Sequence, residues 1–209
     1  MWLKWNYKIF DFLGAPVFVS TWFILVFAYF MIVKGVADGI IMSVCLLILM
    51  LIHEMGHAWF VRKYQHTLLG IQISLIHGCC YFEYDDEFEV ETLVYAGGLL
   101  FQALLFLVTF NVFTVFKFFE LNTLLSFFYP IFYVFIWLNI LIFIINALPI
   151  KGFDGYVLWK RFGEFVGLKY KRLKPGSKPT KPRLNKQSVS KEVDEIIRRA
   201  IDSQTKQDK

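Results

Sequence analysis

The chain has 209 residues, of which 57% are hydrophobic and 19% aromatic, and its mean hydropathy is +0.53. Soluble domains contain about 45–50% apolar residues, so the composition argues against an ordinary soluble domain and indicates a membrane protein. Residues 160–209 carry fifteen Lys and Arg against six Asp and Glu, so the net charge of +5 comes from the tail. No nucleic-acid-binding motif accompanies this charge, and we expect no nucleic-acid partner.

Four segments are apolar and long enough to cross a bilayer of about 30 Å. They cover residues 16–33, 40–60, 93–119 and 130–148. The predicted fold class is therefore an all-α polytopic membrane protein with about four transmembrane helices, the first two forming an antiparallel pair. Cytoplasmic flanks of such helices are rich in Lys and Arg. Lys4, Lys8, Arg62, Lys63 and the tail outweigh Lys34 and Lys117, so we expect a multi-pass cell-membrane protein with both termini in the cytoplasm.

A short β-hairpin is predicted after the second segment. Ile71, Ile73 and Leu75 alternate with other residues, and His77-Gly78 separates two β-prone runs. The acidic run from Glu83 to Glu91 that follows is typical of a solvated loop, with metal or substrate recognition as the alternative.

The remaining chain divides into three predicted parts. Residues 1–172 form the membrane core, and the Pro-rich basic segment 173–187 is a semi-extended linker. Residues 188–209 form an amphipathic cytoplasmic helix, whose apolar stripe needs a partner surface in the core, a second subunit or a regulatory membrane protein. The three cysteines, Cys45 and the adjacent Cys79 and Cys80, do not form a disulfide pattern, and we expect structural thiols rather than zinc ligands.

Residues 53–57 read His-Glu-Met-Gly-His inside the second apolar segment. On a helix this spacing places two imidazoles on one face with a carboxylate beside them, which suits two zinc ligands and a general base. Ionisable groups at bilayer depth cost about 2.5 kcal/mol or more each, which favours a functional role. A catalytic zinc site needs a third protein ligand and an open position. His66 lies in a loop and His77 at a turn, which leaves a carboxylate as the remaining candidate.

Such a carboxylate follows the fourth apolar segment. Asn146 is a polar residue near the end of that segment, and Pro149 breaks the helix because it lacks an N–H donor. Gly152 and Gly155 permit tight turns around Asp154. Irregular backbone at membrane depth occurs where it lines protein or a watery cavity, so this turn suits a third ligand.

The His53-Glu54-x-x-His57 motif, followed by Asn146-x-x-Pro149-x-x-x-x-Asp154-Gly155, resembles the site-2 protease family of intramembrane metalloproteases, and its small bacterial sporulation-type members in particular. The resemblance covers most of residues 10–160. It implies that His53, His57 and Asp154 bind zinc and that Glu54 activates the zinc-bound water. It also implies that Asn146 helps to hold substrate or water, and that the β-element pairs with an unwound substrate strand.

The chain departs from the family pattern at three positions. Gly98 stands where the family often has proline, Gln102 is the one polar residue nearby but comes one place late, and Tyr156 replaces a second glycine. These changes affect substrate fit rather than chemistry, and Gly97 and Gly98 are also explained by close helix packing.

The function expected from the sequence is an intramembrane zinc metalloendopeptidase that cleaves transmembrane protein substrates near the cytoplasmic face. The alternatives are a catalytically inactive homologue that binds membrane proteins and a metal-ion-binding membrane transporter. Retention of His53, His57, Glu54 and Asp154 argues against the first alternative. The lack of further metal-binding residues across the other spans argues against the second.

Overall fold

A computed structural model describes residues 6–74, 78–83 and 88–165. The predicted linker at 173–187 and the predicted helix at 188–209 lie outside these residues, as do His77 and Asp85. The described helices are α1 (Ile24–Lys34), α2 (Val36–Lys63), α3 (Phe88–Phe118), α4 (Asn122–Phe127), α5 (Tyr129–Phe132), α6 (Asn139–Ala147) and α7 (Asp154–Phe165). A π-helical segment, Tyr133–Leu138, joins α5 to α6.

Three helices are long and apolar enough to cross a membrane. They are Val36–Lys63, Thr92–Phe118 and Tyr129–Ala147, and the last comprises α5, the π-helical segment and α6. These three correspond to the second, third and fourth segments predicted from the sequence. Their length and composition indicate a membrane protein.

The first predicted span is not a single helix, and this part of the fold prediction was wrong. Its first residues form a strand, β2 (Ala15–Ser20), followed by one 3-10 turn at Thr21–Phe23 and then α1. The helical part, Thr21–Lys34, is about 21 Å long at about 1.5 Å per residue, which is shorter than a bilayer core of about 30 Å. The strand forms because pairing within a sheet satisfies its backbone groups, which hydropathy alone does not indicate.

The sheet has four strands in the order β1-β2-β3-β4. The predicted hairpin is confirmed as β3 (Leu68–Ile73) and β4 (Gly78–Phe82), which are antiparallel. The sequence did not predict the N-terminal hairpin of β1 (Asn6–Phe12) and β2, which joins the sheet through a parallel pairing of β2 with β3. Strand β4 is an edge strand of this sheet.

Helix α2 is central to the packing. The half of α2 near Lys63 packs Ala58 and Val61 against the buried sheet residues Val17, Ile71 and Ile73. The other half packs Met42, Cys45 and Leu49 against Phe30 and Val134. Where α2 crosses α3, a Cβ on Gly97 would meet the backbone of Gly56, so the predicted close packing at Gly97 is confirmed. The half of α2 that carries the histidine motif therefore has α3 and the sheet against it.

Candidate metal centre

His53 and His57 lie one turn apart on α2, and both are buried. Because side chains four residues apart share a helix face, their Nε2 atoms lie only 3.1 Å apart. The two imidazoles are nearly perpendicular, with an interplanar angle of 83°. This orientation aims both Nε2 atoms at one region next to α2.

Asp154 reaches the same region from another element. Helix α6 ends at Ala147, Leu148 is extended, and the turn before α7 uses Gly152 at a φ of +107°. The predicted break at Pro149 and tight turn at Gly152 are therefore confirmed. Asp154 is the first residue of α7, and its Oδ2 lies 3.0 Å from His53 Nε2 and 3.3 Å from His57 Nε2.

Each imidazole uses its other nitrogen as a hydrogen-bond donor to α3. His57 Nδ1 lies 2.7 Å from the Val94 carbonyl oxygen, which can only accept. His53 Nδ1 lies 2.9 Å from Gln102 Oε1, also an acceptor. A neutral imidazole that donates from Nδ1 has its lone pair on Nε2. Both histidines are therefore held in the tautomer that a metal requires, as outer hydrogen bonds do in many metal sites.

The three converging atoms fit a divalent metal. Asp154 Oδ2 is buried without a hydrogen-bond donor among the described residues, and the two nitrogens that face it carry lone pairs. Three such atoms repel one another unless a cation or a proton lies between them. Ligands of tetrahedral zinc, bound at about 2.0 Å, lie about 3.3 Å apart, which matches the observed spacing of 3.0–3.3 Å. His53, His57 and Asp154 are the one group of this kind found among the described residues.

Glu54 lies beside this group but outside it. Its Oε1 is 3.9 Å from His53 Nε2, and the side chain is buried. The start of β4 approaches it so closely that a Cβ on Gly78 would overlap the carboxylate. The carboxylate is therefore confined between α2 and β4, within reach of a water bound at the three ligands but not positioned as a fourth ligand.

One face of α3 completes the centre. Val94, Gly98 and Gln102 are spaced four residues apart, so they face α2 together. A Cβ on Gly98 would meet ring atoms of His57 and His53, so glycine leaves the space in which the imidazoles converge. From the sequence, Gly98 and Gln102 were departures from a family pattern, and no role at the metal was predicted for them. The available signal for this role was a polar residue, Gln102, four positions after a glycine, Gly98, in an otherwise apolar helix.

The remaining candidates from the sequence have less to support them. Asn146 is half-buried near the end of α6, and its catalytic role stays a prediction. Burial raises the pKa of Cys79 to about 11, and the Glu54 carboxylate adds to this rise. The pKa of Cys80 is also raised, first by burial and then by Glu54. Thiols with raised pKa values stay protonated near pH 7. Neither cysteine belongs to the group of converging metal-ligating atoms found among the described residues.

Asp154, by contrast, keeps its charge. Burial by itself would raise the pKa of this carboxyl, but without a metal a proton on the facing nitrogens of His53 and His57, in the place that a metal would take, lowers it below its usual range. An ionised Asp154 is the form that binds a metal.

Comparison with solved structures shows a similar fold in the site-2 protease from Methanocaldococcus jannaschii. The two structures superpose with a TM-score of 0.59 at 21% sequence identity, over 79% of this chain and 74% of the archaeal one. No protein-family model matches the chain, and no curated protein sequence matches it. The resemblance inferred from the two motifs is therefore confirmed at the level of the fold.

Proposed function

We propose that this protein is an intramembrane zinc metalloendopeptidase. The observation that carries the proposal is the convergence of His53 Nε2, His57 Nε2 and Asp154 Oδ2 within 4.8 Å, beside the buried carboxylate of Glu54. The fold shared with a site-2 protease supports the same activity. Three ligands from two elements leave a fourth position for water, as catalytic zinc sites require.

Each residue has a defined role in peptide hydrolysis. His53, His57 and Asp154 would hold the zinc. When bound, the zinc would act as a Lewis acid and lower the pKa of its bound water to about 7. Glu54 accepts the proton of the attacking water and passes it to the leaving amine nitrogen. Gln102 and the Val94 carbonyl keep the two imidazoles oriented while this happens. Asn146 is proposed to hold substrate or water near the metal.

The proposed substrate is a transmembrane protein segment. A peptide bond within a helix is shielded by side chains and its carbonyl is hydrogen-bonded, so the segment must unwind before cleavage. Strand β4 is an edge strand, and its Gly78 lies against Glu54. A substrate strand that pairs with β4 would present its backbone next to the general base.

We further propose that the enzyme is a multi-pass protein of the cell membrane and that both termini lie in the cytoplasm. The half of α2 that carries the metal ligands ends at the basic pair Arg62 and Lys63. Basic residues favour the cytoplasmic side, so cleavage would occur near that face. The tail helix predicted at residues 188–209 would bind a regulatory membrane protein or another docking partner.

Two alternatives are less well supported. An inactive homologue that binds membrane proteins would have no need to keep Glu54 buried beside the three ligands. A metal-ion transporter needs several sites along a path, whereas the described residues contain one group of metal-binding side chains.

The test is Glu54→Gln in the full chain, purified and reconstituted in lipid vesicles with labelled transmembrane peptides. We expect one zinc per chain in both proteins and a loss of cleavage of about 10²-fold or more in the variant, because a general base contributes about 10²–10⁴-fold. Glu120→Gln, which changes an exposed carboxylate after α3, is the matched control and should cleave normally. Loss of zinc together with activity in Glu54→Gln would show that Glu54 is misassigned. A parent protein that binds zinc but cleaves no peptide would support the inactive homologue.

A further inference from the structure

The general base proposed above lies on a different stripe of α2 from the metal ligands. Glu54, Ala58 and Val61 are spaced at i, i+4 and i+7, so they share one face of the helix. Ala58 and Val61 are fully buried against the four-stranded sheet, and Glu54 is 4% exposed. The Glu54 side chain therefore belongs to the stripe that faces the sheet, whereas His53 and His57 bond to α3.

The sheet presents apolar side chains to this stripe, but position 78 presents none. Ile71 and Ile73 of β3 are fully buried and pack against α2. In the antiparallel pairing of β3 with β4, Gly78 is the partner of Ile73, and paired residues lie on the same face of a sheet. Position 78 is therefore on the face toward α2, opposite Glu54.

The Glu54 side chain fills the space that a side chain at position 78 would occupy. A Cβ on Gly78 would overlap Cγ, Cδ and Oε1 of Glu54. The backbone conformation is not the reason for glycine, because the φ of Gly78 lies outside the left-handed region. Glycine weakens a strand and often marks a place where another group approaches closely. Here the approaching group is the carboxylate of the proposed base.

The place of this carboxylate is narrowly defined. Glu54 Oε1 lies 3.9 Å from His53 Nε2, whereas the three proposed ligand atoms lie 3.0–3.3 Å from one another. A side chain at position 78 would push the carboxylate out of this place, either onto the metal as a fourth ligand or away from the bound water. Both displacements remove the base from the position in which it can accept a proton from that water.

We propose that Gly78 is a positioning residue for the general base, because its lack of a side chain lets the Glu54 carboxylate lie between α2 and β4 beside the metal ligands. The inference rests on the proposed function and adds the edge strand of the sheet to the catalytic centre. It also explains why β4 begins with glycine, where strand propensity favours a β-branched or aromatic residue.

The experiment combines Gly78→Ala with Glu54→Ala in the purified full chain. The first readouts are zinc content and cleavage of a labelled transmembrane peptide in lipid vesicles. Gly78→Ala should lower kcat by about 10- to 100-fold, because a misplacement of about 1 Å costs about 100-fold. The zinc content should stay at one per chain, and KM should change by about twofold or less, because the metal ligands and the backbone of β4 are unchanged.

Thermal unfolding of the metal-free protein separates a contact with Glu54 from a general need for glycine. In the parent, Gly78→Ala should lower the unfolding temperature by about 3–12 °C, as expected for one extra methyl group in a packed site. In the Glu54→Ala background the overlapping atoms are absent, so the same substitution should shift it by about 1 °C or less. If Gly78→Ala prevents folding of the parent, recovery of folding in the double variant is the equivalent result.

The matched control is Gly70→Ala. Gly70 belongs to the same sheet, and an added Cβ would meet Pro16 rather than Glu54. This variant should have the kcat of the parent, and its effect on the unfolding temperature should be the same in both backgrounds.

Several results would overturn the inference. An equal loss of thermal stability from Gly78→Ala in both backgrounds would mean that the strand, and not Glu54, requires glycine. A parent-like kcat would mean that the base does not depend on position 78. Loss of zinc, or a loss of activity confined to KM, would mean that position 78 acts on the metal or on the substrate instead. A parent that binds no zinc or cleaves no peptide would refute the proposed function itself, whereas the other results refute only the role of Gly78.

Discussion

The substitution Gly98→Ala tests zinc affinity separately from the stability of the fold. Gly98 lies within α3, where alanine is favoured over glycine by about 1 kcal/mol. A Cβ at this position would meet the rings of His57 and His53, and no backbone atom is among its nearest neighbours. The imidazoles can rotate away, but only by leaving the orientation in which both Nε2 atoms face Asp154.

The magnitude follows from the cost of overpacking. Inserting one methyl group into a packed site costs about 1–3 kcal/mol, and every 1.4 kcal/mol is a factor of ten in an equilibrium constant. If the rings take up this strain, zinc affinity falls by about 5- to 150-fold, while the metal-free protein unfolds at the same temperature as the parent or higher.

The assay is zinc competition together with thermal unfolding of the metal-free protein in detergent. Gly97→Ala is the control, because a Cβ on Gly97 would strike the backbone of Gly56 rather than the imidazoles. That variant should lose thermal stability whether metal is present or not. Parent-like zinc affinity in Gly98→Ala, or a loss of stability equal to that of Gly97→Ala, would refute the reasoning.

Two further predictions concern the third ligand and the position of the cut. Asp154→Asn should weaken zinc retention and lower activity, because a neutral amide is a poorer ligand than a carboxylate. If the variant kept its full zinc content and full activity, the third ligand would be another residue, and Glu83, Asp85 and His77 would be tested next. His57 precedes Arg62 by five residues and His53 by nine, which places the ligands about 7–13 Å inside the level of Arg62. Substrates should therefore be cut in or just below the cytoplasmic leaflet, and fragments mapped by mass spectrometry to the opposite leaflet would contradict both the topology and the route of water entry.

Local sequence patterns were sufficient to predict the long helices, the histidine pair and the turn after Pro149. Hydropathy over about 20 residues located the three long helices, because a bilayer imposes a length on any segment that crosses it. The i, i+4 spacing placed His53 and His57 on one face, since helix periodicity is a local property. The turn after Pro149 was also readable, because proline and glycine act on their own backbone.

Other features depend on contacts between residues that are far apart in the chain, so they could be read only from the tertiary structure. Residues 16–20 continue the apolar run that leads into α1, and their pairing with β1 and β3 makes them a strand. The convergence of Asp154 with two histidines about a hundred residues earlier required the packing of α7 onto the α2–α3 pair. Gln102 and Gly98 gained their roles in the same way. Helix packing places the Gln102 amide against the His53 imidazole and leaves room at Gly98 for both imidazole rings.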